Sequence, residues 1–258
     1  MDKKYSFRGI LGALLFSVLY YAVYLVVQVA SVYLLAWLAP YPDLVLQMSL
    51  ELTIVGNCLC ILVFALIFKF SQAPFSERVY ISPFPSRFFL TMIILGISTA
   101  FAVALALGMI ESSGILPQEW FEVQNDTYSD VTEASGVLQF FSVGLMAPVL
   151  EEILFRGLIL GTLKEKMSPW VAIILSSAAF GLAHGTAISF IYATGLGILM
   201  GWLFVKFNSV LPSIIFHMAY NCTLAFSAGI SGLVALLSVP IMILTITSIK
   251  KYFRGSRR

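Results

Sequence analysis

The sequence predicts an all-α polytopic membrane protein, with eight transmembrane helices and both termini cytoplasmic, on three observations. The 258 residues are 60% apolar and only 11% charged, whereas a soluble domain is about half apolar and a quarter charged. Apolar runs of the ~20 residues needed to cross a bilayer recur near 10–38, 46–68, 88–110, 137–163, 169–187, 188–205, 209–227 and 230–249. The basic residues fall on one side of the plan those runs define.

Taken in order, the first run is too long for a signal-peptide core and no small-residue cleavage site follows it, so it reads as a retained span. Pro74, Pro83 and Pro85 mark the loop between the second and third runs. The connection at about 111–136 carries Glu111, Glu119, Glu122, Asp126, Asp130 and Glu133 and no base. From Glu119 onward these acids step by 3, 4, 4 and 3, which lines one helix face. Trp120, Val123 and Val131 would supply the other face, and the segment reads as a solvated interfacial helix in preference to a gate. The last five runs follow closely on one another. With the N-terminus inside, Lys3, Lys4, Arg8, Lys69, Arg78, Arg87, Lys164, Lys166, Lys206, Lys250, Lys251, Arg254, Arg257 and Arg258 all fall on the cytoplasmic side, as positive charge does in membrane proteins. The exception, Arg156, lies within the fourth run. A single membrane domain, 1–258, is expected, with its chemistry at about 137–227.

This composition excludes an ordinary soluble enzyme and a disordered chain. A net charge of +2 offers no basic surplus for nucleic acid. Cys58, Cys60 and Cys222 make no disulfide framework and no CxxC pair, and read as small apolar fillers.

Ionisable groups within a span cost ~2.5–3.5 kcal/mol each on insertion scales, so they need partners or a purpose. The fourth run contains Glu151, Glu152 and Arg156. Glu152 and Arg156 are four apart and can pair on one helix face. Glu151, rotated by about 100°, has no local cation and is left as a proton acceptor. The two histidines, His184 and His217, both fall in predicted spans, and His217 shares a helix face with Asn221. Intramembrane polar groups face the bundle interior, so the three spans can converge.

Glu, two His and Asn suit acyl transfer to water. A carboxylate helped by one imidazole takes a proton from water, while the second imidazole and the amide donate to the oxyanion. All four aspartates, Asp2, Asp43, Asp126 and Asp130, lie outside the predicted spans, which removes an aspartyl pair. No His-Glu-x-x-His occurs, which removes the usual zinc helix. Cys222 lies roughly 140° around the helix from His217, a poor thiol–imidazole arrangement.

Glu151-Glu152-x-x-x-Arg156, Phe180-x-x-x-His184 and His217-x-x-x-Asn221 resemble, in order, the motifs of the CPBP family of intramembrane proteases, which includes the CAAX prenyl endopeptidase Rce1 and bacterial Abi proteins. The resemblance covers about 145–225. It implies an eight-helix core, catalytic roles for Glu151, His184, His217 and Asn221, and support from Glu152 and Arg156. It also admits two mechanisms, a metal-free one and one in which Glu151, His184 and His217 hold zinc. Asn is a poor zinc ligand and a good oxyanion donor, which favours the metal-free reading with no cofactor required.

The expected function is therefore hydrolysis of a peptide bond in a membrane-associated peptide or lipoprotein, in the plasma membrane of a bacterium or archaeon. The alternatives are a non-catalytic immunity or binding protein of the same family and a proton-coupled transporter. The expected partners are that substrate and the lipid bilayer, not nucleic acid. Helix arithmetic puts Glu151, His184 and His217 ~14–24 Å from the inner boundary, near mid-bilayer, and chooses no side for access.

Overall fold

The computed structural model describes residues 6–38, 49–70, 73–129, 135–226 and 232–255, and every regular element among them is helical. Helix α1 (Phe7–Leu38) is followed by α2 (Ser49–Lys69), a one-turn helix Phe75–Arg78 and α3 (Phe89–Ser113), which is entered through a 3-10 turn at Ser86–Phe88. Helix α4 (Gln118–Thr127) lies in the acidic connection. The helical run 136–164, α5, leads to α6 (Pro169–Leu182), α7 (Ala187–Phe207), α8 (Leu211–Phe226) and α9 (Gly232–Gly255).

Among the described residues five helices, not eight, are long and apolar enough to cross a membrane: Phe7–Leu38, Leu50–Lys69, Ser86–Ser113, Ala187–Phe207 and Ala235–Gly255. The protein is multi-pass, but the eight-helix expectation is corrected. The runs that fall short are 137–163, 169–187 and 209–227. Helix α6 has 14 residues, ~21 Å of rise, against a hydrocarbon core of ~30 Å, and α8 is described over Leu211–Phe226, where the described residues break off. Apolar composition runs on past the end of α6, yet the backbone does not. Gly185 turns left-handed at φ 80°, where a side chain would be strained, and the Thr186 hydroxyl then accepts from Ser189 N at 3.0 Å to cap α7. Lys3, Lys4, Arg257, Arg258, Asp2, Asp43, Asp130, Val131 and Glu133 lie outside the described residues.

The third shortfall has a different cause. Run α5 is not one α-helix: α-helical Gly136–Gln139, Ala147–Glu152 and Gly161–Lys164 alternate with π-helical Phe140–Met146 and Ile153–Leu160. Pro148 has no N–H to return to a carbonyl one turn back, which removes one backbone donor from this stretch. Side chains of α8 reach the carbonyls of the preceding turn: Asn221 Nδ2 donates to Val143 O at 2.9 Å, and Cys222 Sγ lies 3.8 Å from Gly144 O. The wider π turns absorb the mismatch, as they often do at functional sites.

Packing follows small residues and buried rings. Helix α7 runs along α6, and α3 is sandwiched by α8 and α9. At Gly197 on α7, part of a Gly197-x-x-x-Gly201 pair, a Cβ would meet Ser177 Cβ of α6 at 2.8 Å. The helices thus approach backbone to backbone, as small-residue motifs allow in membranes. Phe155, Phe180, Phe204 and Phe216 are buried at the centre.

One end of the bundle gathers the basic residues. Val210 N donates to Tyr80 O at 3.0 Å, Ser82 Oγ to Asn208 O at 3.0 Å and Lys164 Nζ to Asn208 Oδ1 at 3.0 Å. Arg87 lies 4.1 Å from the Tyr252 ring centroid. These contacts bring together the start of α3, the ends of α5, α7 and α9, and the loops between them. Burial pushes the Tyr80 hydroxyl above its ordinary range, and the neighbouring Glu165 carboxylate pushes it further.

Candidate active site

Four of the sequence-predicted residues line one cavity of about 600 Å3: Glu151 from α5, His184 from the turn after α6, and His217 and Asn221 from α8. Each is positioned by its own local chemistry.

Glu152 and Arg156 sit beneath the cavity as an ion pair, with Nη1 2.9 Å from Oε1 and both side chains fully enclosed. The Arg156 guanidinium also lies 4.3 Å from the Phe180 ring centroid, a cation–π contact of the kind that strengthens when desolvated. The same Glu152 oxygen is 3.0 Å from His217 Nδ1. An ionised carboxylate only accepts, so the Nδ1 proton belongs to the imidazole, and Nε2 is the atom turned toward Glu151, 3.7 Å from its Oε2. Glu151 is about a quarter exposed, where Glu152 is not exposed at all.

His184 is held from its other side. Its Nδ1 lies 2.8 Å from Phe180 O. A carbonyl cannot donate, so Nδ1 carries the proton and Nε2 presents a lone pair in the neutral ring. Phe180 meets both imidazoles edge-on, with centroids 4.7 Å from His184 and 5.8 Å from His217. Asn221 spends one N–H on Val143 O and keeps its second N–H.

Residues with no sequence signal complete the walls: Tyr24 from α1, Tyr128 after α4, Gln139 and Val143 from α5, Tyr192 and Leu196 from α7. Tyr128 donates to His184 O at 3.1 Å, and Ser189 Oγ lies 3.3 Å from the Tyr128 hydroxyl. Burial raises the Tyr128 hydroxyl above its ordinary range, while the Ser189 hydrogen bond opposes that shift. The packed face of α4 is Phe121, Gln124 and Tyr128, not the expected Trp120 and Val123, which stay exposed. Glu119, Glu122 and Asp126 face outward.

Among the described residues no group of three or more His, Cys, Asp and Glu is gathered to hold a metal ion. One competing design is not removed by the sequence. Gly229-Ile230-Ser231-Gly232 has the Gly-x-Ser-Gly spacing of serine-based intramembrane proteases, and Gly229, Ile230 and Ser231 lie outside the described residues.

Residues 133–223, which include all six site residues, match the family described as type II CAAX prenyl endopeptidase Rce1-like. At family level, this segment is similar to Rce1-like proteins. The segment is 30% identical over 92 residues to "Putative membrane peptidase YdiL" of Bacillus subtilis, covering 36% of this chain and 37% of that protein. It is 32% identical over 102 residues to "UPF0177 protein YxdF" of Lactococcus lactis, covering 38% of this chain and 56% of that one. The matched stretches thus span 37% and 56% of the curated relatives' length. No solved structure matches the chain.

Proposed function

We propose that the protein is an intramembrane endopeptidase that hydrolyses a peptide bond of a membrane-associated peptide or lipoprotein with activated water. The observation that carries this reading is the meeting of Glu151, His184, His217 and Asn221 around one cavity inside a multi-pass bundle. The family match of residues 133–223 and the name of the Bacillus relative support it.

In this mechanism Glu151 takes a proton from water, with the His184 Nε2 lone pair orienting or sharing it. The hydroxide adds to the substrate carbonyl. His217 and the second N–H of Asn221 donate to the oxyanion. The intermediate collapses as Glu151 returns the proton to the leaving amine. Glu152 and Arg156 hold His217 and touch no substrate. No step needs a metal. The basic end of the bundle faces the cytoplasm by the positive-inside rule, and the bilayer is the plasma membrane of a prokaryote.

The test is cleavage, with peptides compared between parent cells and cells carrying Glu151→Gln. Peptides that depend on Glu151 name the substrate; a variant with full activity ends the proposal. A non-catalytic immunity role predicts instead that Glu151→Ala and His217→Ala protect as well as the parent. A serine mechanism predicts that Ser231→Ala is the inactive variant.

A further inference from the structure

The cavity does not sit evenly between the two ends of the bundle. Its exposed lining lies away from the basic end. Leu224, 44% exposed, is near the end of α8, and Ala183, exposed, follows the end of α6. Its closed lining lies deeper: Phe155, Phe180, Leu196 and His217 are all buried. Below them, toward the Lys164–Asn208–Tyr80 cluster, the interior is filled by Leu158, Leu160, Leu203 and Phe204. No cavity-lining residue comes from the basic loops 74–88, 164–168 or 207–210.

The rim belongs to the acidic end. Tyr128 lines the cavity and is tied to His184 O, and Ser189 and Thr186 of the α7 start bond Gln124 of α4. Glu111, Glu119, Glu122 and Asp126 lie on or beside α4, and that stretch holds no base. Charge asymmetry of this kind orients a membrane protein with its basic end in the cytoplasm.

We infer that the cavity is reached from the non-cytoplasmic side, between the α8 end and α4, so that its substrate is a membrane-anchored peptide whose scissile bond lies in the outer half of the bilayer. This rests on the peptidase reading for the word substrate, but the side of access rests on charge and exposure alone. A peptide reached only from the cytoplasm would have to pass the packed Phe155, Phe180 and Leu196 floor.

The experiment uses the full chain in cells, with Cys58, Cys60 and Cys222 replaced by Ser and one cysteine introduced at a time. Val123→Cys on the exposed face of α4, Leu224→Cys at the rim and Ser76→Cys in the exposed basic loop are treated with a charged, membrane-impermeant maleimide. The expected result is labelling of Val123→Cys and Leu224→Cys in intact cells, and of Ser76→Cys only after permeabilisation. Any other pattern overturns the inference, including a Leu224→Cys that reacts only from the inside or from neither side. Membrane levels of each variant are matched to the parent, and Thr127→Cys, also exposed, replaces Val123→Cys if that variant fails to accumulate. Failure of the peptidase reading is distinguishable, because it shows as full cleavage by Glu151→Gln with the labelling pattern unchanged.

Discussion

Nδ1 of His217 lies 3.0 Å from Oε1 of Glu152, the same oxygen that Arg156 approaches to 2.9 Å. One buried carboxylate therefore serves two partners on different segments, and it couples the Arg156 charge on α5 to the orientation of the imidazole on α8.

Replacing Glu152 by Gln removes the charge that compensates Arg156. Breaking one side of a buried pair costs ~3–5 kcal/mol, so the apparent Tm of the purified protein in detergent should fall clearly. The double variant Glu152→Gln/Arg156→Met should recover much of that loss. A double variant as unstable as the single one would show that the pair is not the source.

Asn221→Ala removes both the bond to Val143 O and the proposed oxyanion donor. Loss of one such donor costs ~100- to 1000-fold in kcat. The drop should appear in kcat with KM near the parental value, read from steady-state cleavage of the identified peptide. An equal loss of binding would assign Asn221 to packing instead.

Tyr128→Phe deletes the hydroxyl that holds His184 O and leaves the ring in the cavity wall. One hydrogen bond is worth ~1 kcal/mol, or about fivefold in rate. Cleavage should fall by that order, and amide exchange around residues 183–186 should speed up. Unchanged exchange would mean that the turn is held without Tyr128.

Chelation separates the two hydrolytic mechanisms. On the metal-free mechanism proposed above, cleavage by the reconstituted protein is expected to survive prolonged dialysis against EDTA and 1,10-phenanthroline. Loss of activity that zinc restores would install a metal in the mechanism.

Spacing made part of this site readable in advance. Glu152 and Arg156 at i and i+4 meet as helix geometry requires, and His217 and Asn221, spaced alike, both reach the cavity. What spacing cannot carry is contact between segments. The bond from His217 to Glu152 and the bond from Asn221 to Val143 join residues 65 and 78 positions apart. The tyrosines of the cavity wall belong to motif-free stretches, so nothing local distinguished Tyr24 or Tyr128 from other aromatic residues. The helix count went astray where hydropathy averages across features that backbone geometry does not ignore: the Gly185–Thr186 turn after α6 and the π stretches around Pro148 in α5. The acids of α4 do face outward, but the opposite face is set by the polar partners Gln124 and Tyr128, which a search for apolar residues passes over.

Helix α6, at 14 residues, falls short of ordinary hydrocarbon thickness, while its long neighbours exceed it. A mismatch of several ångströms on one flank makes surrounding lipids compress there, at a fraction of a kcal/mol per Å. On the proposed peptidase reading, acyl-chain length therefore becomes a control on cleavage: reconstitution into shorter-chain phospholipids should ease the strain and bring bulk solvent nearer to Glu151, and longer chains should slow cleavage without altering a single residue.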